Sequence, residues 1–145
     1  MIAPALWAGG HHVLAFLVAG LLAAEIALLR PGLDAAAARR LARIDLFYGL
    51  SFGILVLVGL WRAIMVEKGW GFYSSSPAFW LKMGLLGTIT LLSLPPTFAY
   101  LRWSRAPEGA APGPAEIARL SRILRAEALL FIPVPVLAAL MARGD

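Results

Sequence analysis

The chain is 145 residues long, 61% hydrophobic and only 14% charged, with a formal net charge of +5 and no cysteine. An ordinary soluble domain is about 45–50% apolar and about 25% charged, so the composition excludes one. It also excludes disulfides, thiol nucleophiles and thiolate metal sites.

Four long apolar runs follow one another, at about residues 7–29, 46–66, 79–101 and 126–142. A helix needs roughly 20 apolar residues to cross a hydrocarbon core about 30 Å thick. Each run is near that length. Each is also apolar all round, unlike the striped helices of a soluble bundle. The expected fold is all-α: a four-transmembrane-helix bundle forming one membrane domain over residues 1–145.

The first run lacks a positive leading segment and exceeds the roughly 7–15 apolar residues of a signal peptide, so it reads as a retained span. It carries His11, His12 and Glu25. His11 and Glu25 are fourteen residues apart, which returns them to nearly the same helix face, roughly 21 Å apart along the axis. The connection at 30–43 holds Arg30, Arg39, Arg40 and Arg43 against Asp34 alone. Asp34 is placed to cap a second helix running unbroken from Ala35 to Val66. Gly49 and Gly53, like Gly84 and Gly87 on the third run, are expected to let helices approach closely inside the bundle, or between two copies of it. Residues 67–78 are rich in glycine, serine and aromatics and read as a connection. In the third run, Pro95 and Pro96 are expected to end or kink the helix. Three prolines and two glycines make residues 106–114 a loop, and Pro114 suits the first turn of the last helix. Ile117, Leu120 and Leu124 then share a face away from Arg119, Arg122 and Arg125. That pattern predicts an amphipathic lead-in lying near the inner interface. Pro133 and Pro135 are expected to kink the final span.

Nine of the thirteen basic residues sit in the first and third connections. The positive-inside rule places those connections in the cytoplasm and both termini outside, which also explains the net charge without nucleic acid. Aromatics gather at the outer ends (Trp7, Trp61, Trp70, Phe72, Tyr73, Phe79, Trp80) and at the inner ends (Phe47, Tyr48, Phe98, Tyr100, Trp103), as two headgroup-level belts would.

Ionisable residues within the spans sort by depth. Glu25, Asp45 and Glu127 form an inner acidic layer close in sequence to Arg30, Arg43 and Arg125, and structural ion pairs among these six are expected. His11, His12, Arg62 and Lys82 form an outer basic layer, with Met65 and Met83 at the same depth. An imidazole can ligate haem iron or copper, a thioether can be a weak further ligand, and Arg or Lys can pair with propionates. His11, His12, Arg62, Lys82 and Met83 are therefore candidates for holding haem b, and His11 and His12 for holding a metal. Adjacent histidines on one helix cannot clamp both faces of one haem. The competing reading makes the histidines interfacial and lets Arg62 and Lys82 snorkel outward.

Several stretches carry a resemblance. They are Gly10-His11-His12, Glu25, Leu28-Leu29-Arg30-Pro31-Gly32, Arg39-Arg40-Leu41-Ala42-Arg43-Ile44-Asp45, Glu67-Lys68-Gly69, Phe79-Trp80-Leu81-Lys82-Met83 and Leu92-Ser93-Leu94-Pro95-Pro96-Thr97. With them, essentially the whole chain resembles a family of bacterial membrane proteins, domain of unknown function 2214. That resemblance implies a four-span protein of the bacterial inner membrane and carries no activity across. A remoter likeness, through His11 and Lys82, is to small haem-binding protoporphyrinogen oxidases and to the membrane part of copper-resistance protein D. This chain lacks their further histidines.

The function expected from these observations is an integral inner-membrane protein with a candidate haem site in its outer layer. The alternatives are a structural or interaction subunit without cofactor, and a membrane redox enzyme acting on a lipophilic tetrapyrrole or quinone. A non-enzyme is favoured over an enzyme. The lipid bilayer is the expected partner, with a second copy or another membrane protein as the expected form of association.

Overall fold

The computed structural model describes residues 2–107 and 112–143. Residues 108–111 of the expected loop, and the chain's first and last residues, lie outside the described residues. Those described form six α-helices and one π-helical turn, Arg62–Val66: α1 (Ile2–Leu28), α2 (Ala35–Trp61), α3 (Trp70–Ser74), α4 (Pro77–Ser104), α5 (Pro114–Phe131) and α6 (Pro133–Arg143). Four segments are long and apolar enough to cross a membrane: Ala5–Leu28, Ala35–Val66, Pro77–Ser104 and Pro114–Arg143.

Local chemistry sets the boundaries. At the end of α1, Arg30 Nε donates to the Ala27 carbonyl at 2.7 Å, occupying an acceptor the helix leaves open. Pro31 bars continuation, and Gly32 turns the chain at a φ of +82°, open to glycine without strain. Asp34 caps α2 as expected, its carboxylate accepting from the Ala37 N–H at 2.7 Å. The second span does reach Val66, but its last turn, Arg62–Val66, is π-helical, with the Glu67 N–H bonded to the Arg62 carbonyl.

The proline expectations divide. The α4 helix runs on through Pro95 and Pro96 rather than ending there. Proline removes a helix hydrogen bond, but its φ is helical. The hydroxyls of Thr90, Ser93 and Thr97 donate to nearby carbonyls of the same helix. In the last span the helix does break: Ile132 separates α5 from α6, which begins at Pro133.

The spans close into a ring: α1 lies along α2, α2 along α4, α4 along α5, and α5 back against α1. The core runs down its axis, through Val18 and Leu22, Leu41 and Tyr48, Ile89 and Tyr100, and Leu120 and Leu124. The outside is apolar as well. Phe16 is 78% exposed, Leu57 and Leu91 68%, and Leu129 66%. A soluble monomer rarely exposes such a continuous apolar surface. Here it is the lipid-facing surface of a multi-pass membrane protein.

Three expectations are corrected by packing. Ile117, Leu120 and Leu124 do not lie on a membrane surface; they are buried in the main core, because α5 stands in the bundle. The glycines at 49, 53, 84 and 87 do not mediate contacts between helices of one chain. A Cβ added at any of them meets nothing within 4 Å, because they face outward. The belts are thinner than expected. Trp7, Trp61, Trp70, Trp80, Phe47 and Phe98 face outward, but Tyr48, Tyr73, Phe79, Tyr100 and Trp103 are buried.

Candidate functional site

Two polar clusters occupy opposite ends of the bundle. One surrounds His11. Its inward position follows from the stripe His11, Val18, Leu22, Glu25 and Leu29, whose spacings of seven, four, three and four hold one face of α1 toward the axis. Residue Gly59 on α2 makes room for the ring: a Cβ there would stand 3.1 Å from His11 Cε1. His11 Nδ1 is buried without a hydrogen-bond partner. The same ring lines an apolar groove of about 500 Å³ with Leu6, Trp7, Gly10, Leu14 and Val58.

The cations of this end are arranged by the π turn. Residues five apart are not neighbours on an α-helix. The wider turn brings Arg62 Nη2 to 2.7 Å from Glu67 Oε1. Tyr73 on α3 donates its hydroxyl to the other Glu67 oxygen. Burial, and then the Glu67 carboxylate it is bonded to, push the Tyr73 phenol up to about 12. Lys82, half-buried on α4, lies within electrostatic reach of both Glu67 and Arg62. His11 in turn is within reach of Arg62, Lys82, His12 and Glu67. The end is thus assembled from α1, α2, α3 and α4.

The other candidates separate from His11. His12 is exposed, and its Nδ1 donates to the Ala8 carbonyl at 2.6 Å. The two imidazoles are perpendicular, with centroids 6.2 Å apart. Met65 is 64% exposed, and Met83 is packed against the two hydrophobic clusters. Among the described residues, no group of three or more His, Asp and Glu side chains is placed to hold a metal ion.

The acidic end differs from expectation. Glu25, Asp45 and Glu127 are all buried, at 1%, 6% and 0% exposure. Arg30, Arg43 and Arg125 are exposed, and none pairs with them. The reason is angular. Arg43 precedes Asp45 by two positions, and Arg125 precedes Glu127 by two, so each pair points to opposite sides of its helix. Arg30 is held instead by its own helix end. The carboxyls meet hydroxyls: Tyr48 donates to Glu127 at 3.0 Å, and Thr97 to Asp45 at 3.0 Å.

Sequence reasoning missed Gly59, Glu67 and Tyr73 at one end and Tyr48, Thr97 and Tyr100 at the other. The second group had a signal. Asp45 and Tyr48, and likewise Thr97 and Tyr100, are three residues apart on one helix face. The first group depends on the π turn, which no local pattern announces.

No curated protein and no solved structure matches this chain. The remoter likeness to haem-binding oxidases and copper-resistance protein D finds no support there. A family model described as a predicted membrane protein, DUF2214, matches residues 3–145, and the chain belongs to that family.

Proposed function

We propose that this protein is a bacterial inner-membrane protein that binds a planar, lipophilic, carboxylate-bearing ligand of the haem b type at its His11 end. The arginine-rich connections face the cytoplasm, so this end faces outward. The observation that carries the reading is the setting of His11: an imidazole on the wall of an apolar groove, with Nδ1 buried and unpartnered. Lys82 supplies a cation for a carboxylate. Arg62 is less available than the sequence implied, because Glu67 already neutralises it. Of the residues present, one imidazole, His11, would hold such a group.

A subunit without cofactor is favoured by one specific feature, the Arg62–Glu67–Tyr73 network, which pairs the cation of this end within the protein. An absorption spectrum separates the readings. Protein purified in detergent from haem-replete cells is expected to show a Soret band. His11→Ala is expected to abolish it while insertion and folding persist, and His12→Ala to leave it. A colourless preparation that also fails to take up added haem contradicts the binding reading and leaves the structural one.

A further inference from the structure

All four spans send polar side chains to the acidic end, and among the described residues no basic group pairs with them there. Glu25 comes from α1, Asp45 and Tyr48 from α2, Thr97 and Tyr100 from α4, and Glu127 from α5. The ion pairs found among the described residues, Arg62–Glu67 and Arg102–Glu116, belong to other places. Hydrogen bonding within the cluster is incomplete. Both carboxyl oxygens of Glu25, Oε1 of Glu127 and the hydroxyl of Tyr100 are buried without partners. Tyr100 is fully buried, and the acidic side chains within electrostatic reach of its hydroxyl are Glu25, Asp45 and Glu127. The unpartnered groups therefore belong to one buried cluster at this end.

Three carboxylates in an apolar interior need compensating positive charge, because burial strips them of water. Among the described residues, none is paired with them here. A metal ion would need several ligands converging on one point, and among the described residues no group of three His, Asp and Glu side chains is placed to hold one. A proton needs only one oxygen. It also converts a carboxyl from a pure acceptor into a donor, which is what adjacent unpartnered oxygens lack.

We infer that Glu25, Asp45 and Glu127 form a buried proton-binding site, in which protons shared among the three carboxyls replace a basic partner and the hydroxyls of Tyr48, Thr97 and Tyr100 complete the hydrogen bonds. Carboxyls that share protons titrate as a unit rather than one by one. Leu41 and Leu124, one turn from Asp45 and Glu127 on the same faces, are fully buried and keep water from the site. This site is independent of the ligand proposed for the His11 end.

Infrared spectroscopy of the purified protein in detergent tests the inference. Exposed carboxyls are ionised at neutral pH, so a protonated-acid carbonyl band there reports buried protons. The wild type is expected to show this band and to shift it in heavy water. Glu25→Gln and Glu127→Gln, which keep shape but remove a carboxyl, are each expected to weaken it. Should Glu25→Gln fail to fold, Asp45→Asn and the wild-type comparison between light and heavy water decide the matter. Absence of the band in wild type overturns the inference, as does a band untouched by all three substitutions. Loss of the band on adding sodium or calcium chloride, with release of protons, also overturns it and identifies a metal-ion site.

Discussion

His11 and His12 are neighbours in sequence, yet one helix step separates a ring on the groove wall from a ring bonded to its own backbone. Gly59 is what admits the first. A methyl group there would press on His11 Cε1 from 3.1 Å, so the imidazole would have to shift by a few tenths of an ångström. Gly59→Ala also replaces a residue about 1 kcal/mol poorer in helix propensity. The two effects act on different readouts. Thermal stability in detergent is expected to hold, while the haem retained per protein falls several-fold. Gly71→Ala, where an added Cβ meets nothing, is expected to change neither. Equal haem retention in Gly59→Ala and wild type would show that the His11 position does not matter to binding. At this scale the sequence was partly legible. It placed His11 and Lys82 at one end and the three acids at the other, as the structure does. The failed arginine pairing was also readable, since residues two apart on a helix face opposite ways. Glu67 was not readable as the partner of Arg62, because a separation of five brings side chains together only when the turn widens.

Among the elements, α5 shows how pattern and environment combine. Its apolar face at Ile117, Leu120 and Leu124 was evident from spacing alone, and so was its start at Pro114. What covers that face was not: an amphipathic helix fits equally a membrane surface or a bundle, and only the ring of spans decides between them. The main core claims it, and an ion pair from Arg102 on α4 to Glu116 anchors its first turn. Leu120 is 0% exposed and Leu129 66%. Burial against lipid brings little hydrophobic gain, since lipid tails are as apolar as leucine, so the penalty for truncation comes mainly from the cavity. Leu120→Ala is expected to destabilise the protein by about 2 kcal/mol, the low end of the range for buried leucines. Leu129→Ala is expected to stay within about 0.5 kcal/mol. Comparable losses in chemical denaturation would mean that α5 is not packed as described.

For the whole molecule, length and hydropathy sufficed to give four spans, because crossing a bilayer is a requirement on run length that no tertiary contact can relax. Depth sorting of the polar residues also survived in outline: His11, Arg62 and Lys82 gather at one end, and Glu25, Asp45 and Glu127 at the other. The chemistry within each end depended on contacts between spans and was less legible. The central claim is that these two ends face opposite sides of a membrane, His11 outward and the acids toward the cytoplasm. A chain without cysteine allows a direct measurement. Single cysteines at Ser75 and Pro107, both exposed in connections at opposite ends, can be labelled with a membrane-impermeant maleimide. Ser75→Cys is expected to react in intact cells, and Pro107→Cys only after lysis. The reverse pattern would invert the account of both sites, and equal labelling of the two in intact cells would contradict the four-span arrangement itself.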